Sequence, residues 1–167
     1  MIVVTLDGDV IAPSAPALYA DDAVVTRGDG VFETLLVRGG WPCLLSAHFD
    51  RLTQSAAITG LPEPDLTRWR AAIAVALAGW KGGDDAIMRF VYGRGRGQAG
   101  LPTAFVTVSG VPDRVAAARR DGLSVITVDR GGGADDSVGG GADDSVGGGR
   151  SLTGVKSLSY ALNSAAL

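Results

Sequence analysis

Residues 131–149 read GGGADDSVGGGADDSVGGG: an octamer, an unchanged second copy, and the start of a third. Glycine backbone loses more freedom on ordering than any other residue, and Asp and Ser bring little apolar area to offset that loss. The segment is therefore expected to be a flexible linker. It confines any sizeable core to residues 1–130 and leaves residues 150–167 as a short tail. A perfect repeat is also what a sequence duplication or an engineered insertion leaves behind, and no functional role is assigned to it.

Apolar residues make up 46% of the 167-residue chain, enough for a real core in the part before the linker. Ile2 to Thr5 and Val10-Ile11, split by Asp7-Gly8-Asp9, read as a hairpin. Val31 to Val37 and Trp41 to Leu45, joined by Gly39-Gly40, read as a second. Ser46 is the expected N-cap of a helix running to about Thr59, closed by Gly60 and Pro62. Phe49, Leu52 and Ala56 form its apolar stripe, with His48, Arg51 and Ser55 on a neighbouring face. A second helix is expected from Leu66 or Thr67 to Gly79, burying Trp69, Ile73, Ala76 or Leu77, and Trp80. Ala86 to Tyr92 and Ala104 to Ser109 are strands around the turn Gly93-Arg-Gly-Arg-Gly97. A short helix, Val115 to Arg120, precedes a strand from Leu123 to Val128. The fold class is α+β, with a mainly antiparallel sheet and two helices. The expected division is an N-terminal domain over 1–120, the first strand of a second domain over 121–130, the linker over 131–149, and the truncated remainder of that second domain over 150–167.

Several classes are disfavoured. A net charge of −3 and a pI near 5.0 lack the basic footprint of nucleic-acid binders. Cys43 is the only cysteine, so no internal disulfide forms, and no metal site is visible with one histidine and one cysteine. The N-terminus shows no secretory pattern. The longest apolar run, Ala71 to Trp80, is too short to cross a bilayer, and the expected location is the cytoplasm.

The basic residues are almost all arginine; Lys81 and Lys156 are the only lysines. Lys156 lies among Leu152, Val155 and Leu158 at the expected opening of a helix. Burial favours the neutral amine, the form that attacks an aldehyde. On local context alone a solvated lysine at a helix start is the commoner reading. Lys81, before Gly82-Gly83, reads as an exposed turn. The fork of Arg51 suits a phosphate, or else pairs with Asp50 or Asp65 at the surface. His48, the only histidine, is by itself more often a packing or hydrogen-bonding residue than a base. Gly28 and Gly30 permit a tight turn or a close approach to a ligand. Arg94 and Arg96 could be presented to an anionic ligand by a hairpin loop, or to RNA, which the acidic balance disfavours.

Taken in order, Arg-Gly-Asp-Gly-Val-Phe-Glu-Thr (27–34), His-Phe-Asp-Arg-Leu (48–52), Arg89, the Arg94-Gly95 turn and Gly-Val-Lys-Ser-Leu-Ser-Tyr-Ala-Leu-Asn (154–163) resemble the class IV pyridoxal-phosphate family. That family includes branched-chain aminotransferases, D-amino-acid aminotransferases and 4-amino-4-deoxychorismate lyases. The resemblance implies a D-amino-acid-aminotransferase-like fold, pyridoxal 5'-phosphate as cofactor, an amino-acid-like substrate, and a homodimer in the complete enzyme. It implies that Lys156 holds the cofactor covalently and moves the proton at the substrate carbon, and that Arg51 grips the cofactor phosphate. It places Phe32 near the substrate pocket and Arg89 and Arg94 near the substrate carboxylate. The strings are most similar to aminodeoxychorismate lyases, which release pyruvate and 4-aminobenzoate in folate synthesis; the aminotransferases are the alternative. The family also needs a carboxylate facing the pyridine nitrogen and further phosphate ligands, from segments after the lysine that this sequence lacks. A fragment with little activity alone is therefore expected, and a non-catalytic dimerisation piece is the rival from another class.

Overall fold

The computed structural model describes residues 1–97, 101–125 and 155–159. Their strands are β1 (Ile2–Thr5), β2 (Val10–Ile11), β3 (Gly30–Arg38), β4 (Trp41–Pro42), β5 (Asp85–Gly93) and β6 (Thr103–Gly110). The helices are α1 (Ala23–Arg27), α2 (Leu45–Thr59), α3 (Leu66–Gly79) and α4 (Asp113–Asp121). The strands form one antiparallel sheet in the order β2-β1-β6-β5-β3-β4. The expected α+β class holds.

Register explains the core. Val31, Leu35 and Val37 of β3 share a sheet face with Met88, Phe90 and Tyr92 of β5 and with Val106 and Val108 of β6. Successive side chains point to opposite sides of a strand, so this face is continuous. α2 and α3 cover it with Phe49, Leu52, Ala56, Trp69, Ile73 and Ala76. Trp69 lies 5.3 Å from Phe90 and edge-on to Tyr92 at 6.1 Å, while Phe49 stacks on Phe90 at 5.7 Å. Burying each such ring contributes roughly 1.5–3 kcal/mol. Of the expected helix stripe, Trp69, Ile73 and Ala76 are buried, while Leu77 and Trp80 are only half-buried.

Four boundaries differ from expectation. α1 was not foreseen; Asp22 caps it by accepting from Val24 N–H at 2.8 Å, and Gly28 ends it at φ 64°. α2 starts at Leu45 without a side-chain cap, because Leu44 turns the chain at φ 54°, and Ser46 lies inside the helix. That turn also cuts β4 to two residues. Residues 123–125 are exposed and carry no regular structure, so the expected strand is absent over that part; its remainder, 126–128, and the linker lie outside the described residues. α3 is capped by Asp65, which accepts from Thr67 and Arg68 N–H.

Candidate functional site

The segment 155–159 docks on β3 along the edge opposite β5. Phe32 N–H donates to the Lys156 carbonyl at 3.0 Å, Leu158 N–H donates to the Gly30 carbonyl at 2.9 Å, and Val31 faces Ser157. Lys156 is thus in an extended, sheet-paired stretch, not at the opening of a helix. The pairing sets its direction: facing residues project to the same side, so Lys156 joins Phe32 on the sheet face away from the helices, and Ser157 joins Val31 on the helix side.

The motif glycines make this docking possible. A Cβ on Gly30 would lie 2.7 Å from Leu158 Cδ1 and 2.8 Å from Gly93 Cα, and one on Gly28 would lie 2.8 Å from Ser159 Oγ. The close approach they allow is to the lysine segment itself.

On the far face, Lys156 Nζ lies 4.2 Å from the centre of the Phe32 ring. The Arg89 guanidinium lies 5.8 Å from the same ring, with Nε donating to Thr34 Oγ1 at 3.4 Å. Arg89 pairs across the sheet with Thr34, two residues from Phe32, which puts all of them on one face. Three expected residues, Lys156, Phe32 and Arg89, therefore converge, and two of them bring cations to one aromatic ring.

Arg51 and His48 are elsewhere. Both point from α2 to Glu33, which lies on the helix-side face of β3 and is wholly buried. Arg51 Nε donates to Glu33 Oε1 at 2.6 Å and Nη2 donates to Oε2, while His48 Nδ1 lies 2.7 Å from Oε2. The Glu33 hydrogen bonds hold the Arg51 guanidinium above its ordinary pKa, against a smaller desolvation effect. Arg51 remains 47% exposed, and its Nη1 has no hydrogen-bond partner among the described residues. Arg51 and Lys156 thus stand on opposite faces of β3. Glu33 was missed from the sequence, although a carboxylate in the otherwise apolar, strand-like string Val31 to Val37 was a signal that could have found it.

Arg94 is committed to structure. Its Nε donates to Asp29 at 2.8 Å, its Nη1 to the Gly60 carbonyl at 3.2 Å and its Nη2 to the Thr59 carbonyl at 2.9 Å. It closes the end of α2, and all three nitrogens are engaged. Burial alone would raise the Asp29 carboxyl, but hydrogen bonds from Arg94 and Arg27 outweigh it and hold the group below the ordinary 3.8. Arg96 pairs with Asp21 and lies over Tyr19 at 4.2 Å. Beside the α1–β3 turn, an open cleft of about 390 Å³ is lined by Arg27 to Gly30, Ile58, Thr59, Ser157 and Ser159. No group of His, Cys, Asp or Glu suited to a metal ion occurs among the described residues. None of their helices is long and apolar enough to cross a membrane.

The class IV amino-transferase profile matches residues 30–167. A curated relative, the bifunctional aminodeoxychorismate lyase / D-amino acid transaminase of Mycobacterium tuberculosis, is 52% identical over 99% of this chain and 55% of its own length. A hypothetical aminotransferase from M. tuberculosis, solved with α-ketoglutarate and PMP, superposes with a TM-score of 0.86 at 50% identity, covering all of this chain and 57% of that one. A fold IV transaminase from Curtobacterium pusillum superposes at 0.83 with 33% identity, over 99% and 57%. The chain spans about half the length of these relatives. With the profile matched over most of its length, the chain belongs to the class IV aminotransferase family of pyridoxal-phosphate-dependent enzymes.

Proposed function

We propose that this chain carries the reactive lysine of a pyridoxal-phosphate enzyme that acts as an aminodeoxychorismate lyase, converting 4-amino-4-deoxychorismate to 4-aminobenzoate and pyruvate. The observation that carries the proposal is the placement of Lys156: an amine held by strand pairing on the Phe32 ring, with Arg89 on the same face. The donor chemistry fits the cofactor, with one amine for an aldehyde and one half-exposed guanidinium, Arg51, for a phosphate. When bound, the cofactor supplies an electron sink at the amine-bearing carbon of the substrate.

The protein's part follows from its own groups. Lys156 holds the cofactor and then moves the proton at the substrate carbon. Arg51 offers its open Nη1 edge to the phosphate. Arg89 meets the substrate carboxylate, and Phe32 forms an apolar wall that excludes water beside the amine. The folate-pathway role, the homodimer and a cytoplasmic location belong to the same proposal. A second reading, D-amino-acid transamination, is favoured by the dual name of the M. tuberculosis relative. Branched-chain transamination is the less supported variant.

The test is reductive trapping. The chain is incubated with millimolar pyridoxal phosphate, reduced with borohydride and digested. The label is expected on Lys156 and not on Lys81, and it is lost in Lys156→Ala. A label distributed equally over both lysines, or absent from Lys156, overturns the proposal. Pyruvate release from 4-amino-4-deoxychorismate, measured against amino transfer from D-alanine, then separates lyase from transaminase. Because the chain spans about half of its relatives, the turnover assay is run with the remaining half of the relative supplied, and little turnover is expected without it.

A further inference from the structure

We propose that Glu33 is the positioning residue for Arg51, and that His48 in turn fixes Glu33; this rests on the reading of Arg51 as the phosphate group's partner. Glu33 is wholly buried on the helix side of β3, where its neighbours Val31, Leu35 and Val37 are apolar. A buried carboxylate is costly unless it is paired and hydrogen-bonded. Here both oxygens are engaged. Oε1 accepts from Arg51 Nε, and Oε2 accepts from Arg51 Nη2 and faces His48 Nδ1. An ionised carboxylate only accepts, which puts the imidazole hydrogen on Nδ1. The 3.3 Å approach of Arg51 Nη2 to that nitrogen is then donor against donor, a contact and not a hydrogen bond.

The consequence lies in what remains of the arginine. A bidentate carboxylate grips one edge of the planar fork and fixes its orientation. The Nη1 group projects from the opposite edge, on a side chain that stays 47% exposed. Glu33 thus removes the rotamer freedom Arg51 would otherwise lose on meeting an anion. It also sets which nitrogen the anion meets. His48, only 16% exposed and one helical turn before Arg51, occupies the other side of Oε2 and keeps the carboxylate from rotating. Glu33 touches neither substrate nor cofactor in this account; it acts through Arg51.

The experiment compares trapping of pyridoxal phosphate with trapping of pyridoxal, which lacks the phosphate, at Lys156 of the full chain. The ratio of the two labels isolates phosphate recognition from the reactivity of the amine. Wild type is expected to prefer the phosphorylated aldehyde. Glu33→Gln, nearly isosteric, is expected to reduce that preference several-fold, toward the value of Arg51→Gln, with Glu33→Asp in between. Unchanged preference in Glu33→Gln, with preference lost in Arg51→Gln, sinks the inference and leaves the role of Arg51 standing. Preference retained in Arg51→Gln sinks that role and the inference with it. Circular dichroism checks that each variant folds. The Arg51 Nε–H proton resonance gives an independent measure: it is expected downfield in wild type and shifted back in Glu33→Gln, and an unmoved resonance counts against the proposal.

Discussion

Lys156 and Phe32 are joined twice: the Phe32 N–H donates to the Lys156 carbonyl at 3.0 Å, and the Lys156 amine lies 4.2 Å from the centre of the Phe32 ring. The backbone bond sets the register of the segment, and the ring gives the side chain a resting place. A cation over an aromatic face at a partly exposed site gains about 0.5–1 kcal/mol. In Phe32→Leu the amine is expected to react several-fold faster with a small acylating reagent. Lys81 serves as internal reference, since its exposed amine is far from Phe32 in sequence and donates to the nearby Ala78 carbonyl. Mass spectrometry reads the ratio of the two labels, and an unchanged ratio would show that the ring does not hold the amine.

Gly30 tests the docking of the lysine segment. A methyl group there meets Gly93 Cα and the Tyr92 carbonyl at 2.8 Å as well as Leu158 Cδ1 at 2.7 Å. Two of these atoms are backbone and cannot move cheaply. Gly30→Ala is expected to cost about 1–3 kcal/mol in urea unfolding. It is also expected to speed hydrogen exchange of the Leu158 amide, which donates to Gly30 in the wild type. Normal exchange at Leu158 would mean the segment docks without that clearance.

Arg94 is expected to matter for stability rather than for substrate. It satisfies two carbonyls at the end of α2 and one carboxylate, and hydrogen bonds involving a charged group contribute about 1.5–3 kcal/mol each. Arg94→Ala should lower the melting temperature by several degrees, with Lys156 trapping intact in the folded fraction. Arg94→Lys should recover only part, because an ammonium cannot reach the three acceptors in fork geometry. Unchanged melting together with lost discrimination among substrate carboxylates would return Arg94 to the site.

Asp29 gives the pH dependence. Its carboxyl is held below 3.8 in the folded chain, because hydrogen bonds from Arg94 and Arg27 outweigh burial. A depressed acid contributes stability that is complete above its unfolded value and is lost as pH falls through the folded one. The stability difference between wild type and Asp29→Asn should be widest above about pH 5 and close as the solution is acidified below about pH 4. Urea midpoints at a series of pH values check this, and a gap that widens on acidification would contradict it.

Much of the architecture was legible because it is written in local patterns. The β-rich string Val31 to Val37 reports a strand and the stripe Phe49, Leu52, Ala56 reports a helix face, which is buried as expected. Family motifs led to Lys156, Phe32 and Arg89, which the fold brings together. What escaped depends on partners distant in sequence. α1 spans five residues, and its cap Asp22 is stabilised by the Thr103 hydroxyl from β6. Arg94 finds its carbonyl acceptors at the end of α2, and Glu33 finds its hydrogen-bond partners on α2 too. The turn at Leu44 replaces the Ser46 cap because a left-handed residue, and not a side chain, starts α2.

The sheet order has a consequence for how the molecule is made. β1 leaves the ribosome first, yet its long partner is β6, so the opening strand waits for nearly the whole sheet to be synthesised. Pairings between distant segments form slowly, since the intervening chain must be closed before the contact gives any return. Lys156 follows later still and attaches to β3 from the outside edge. A nascent chain can therefore assemble the six strands before the segment carrying Lys156 is available to pair with β3.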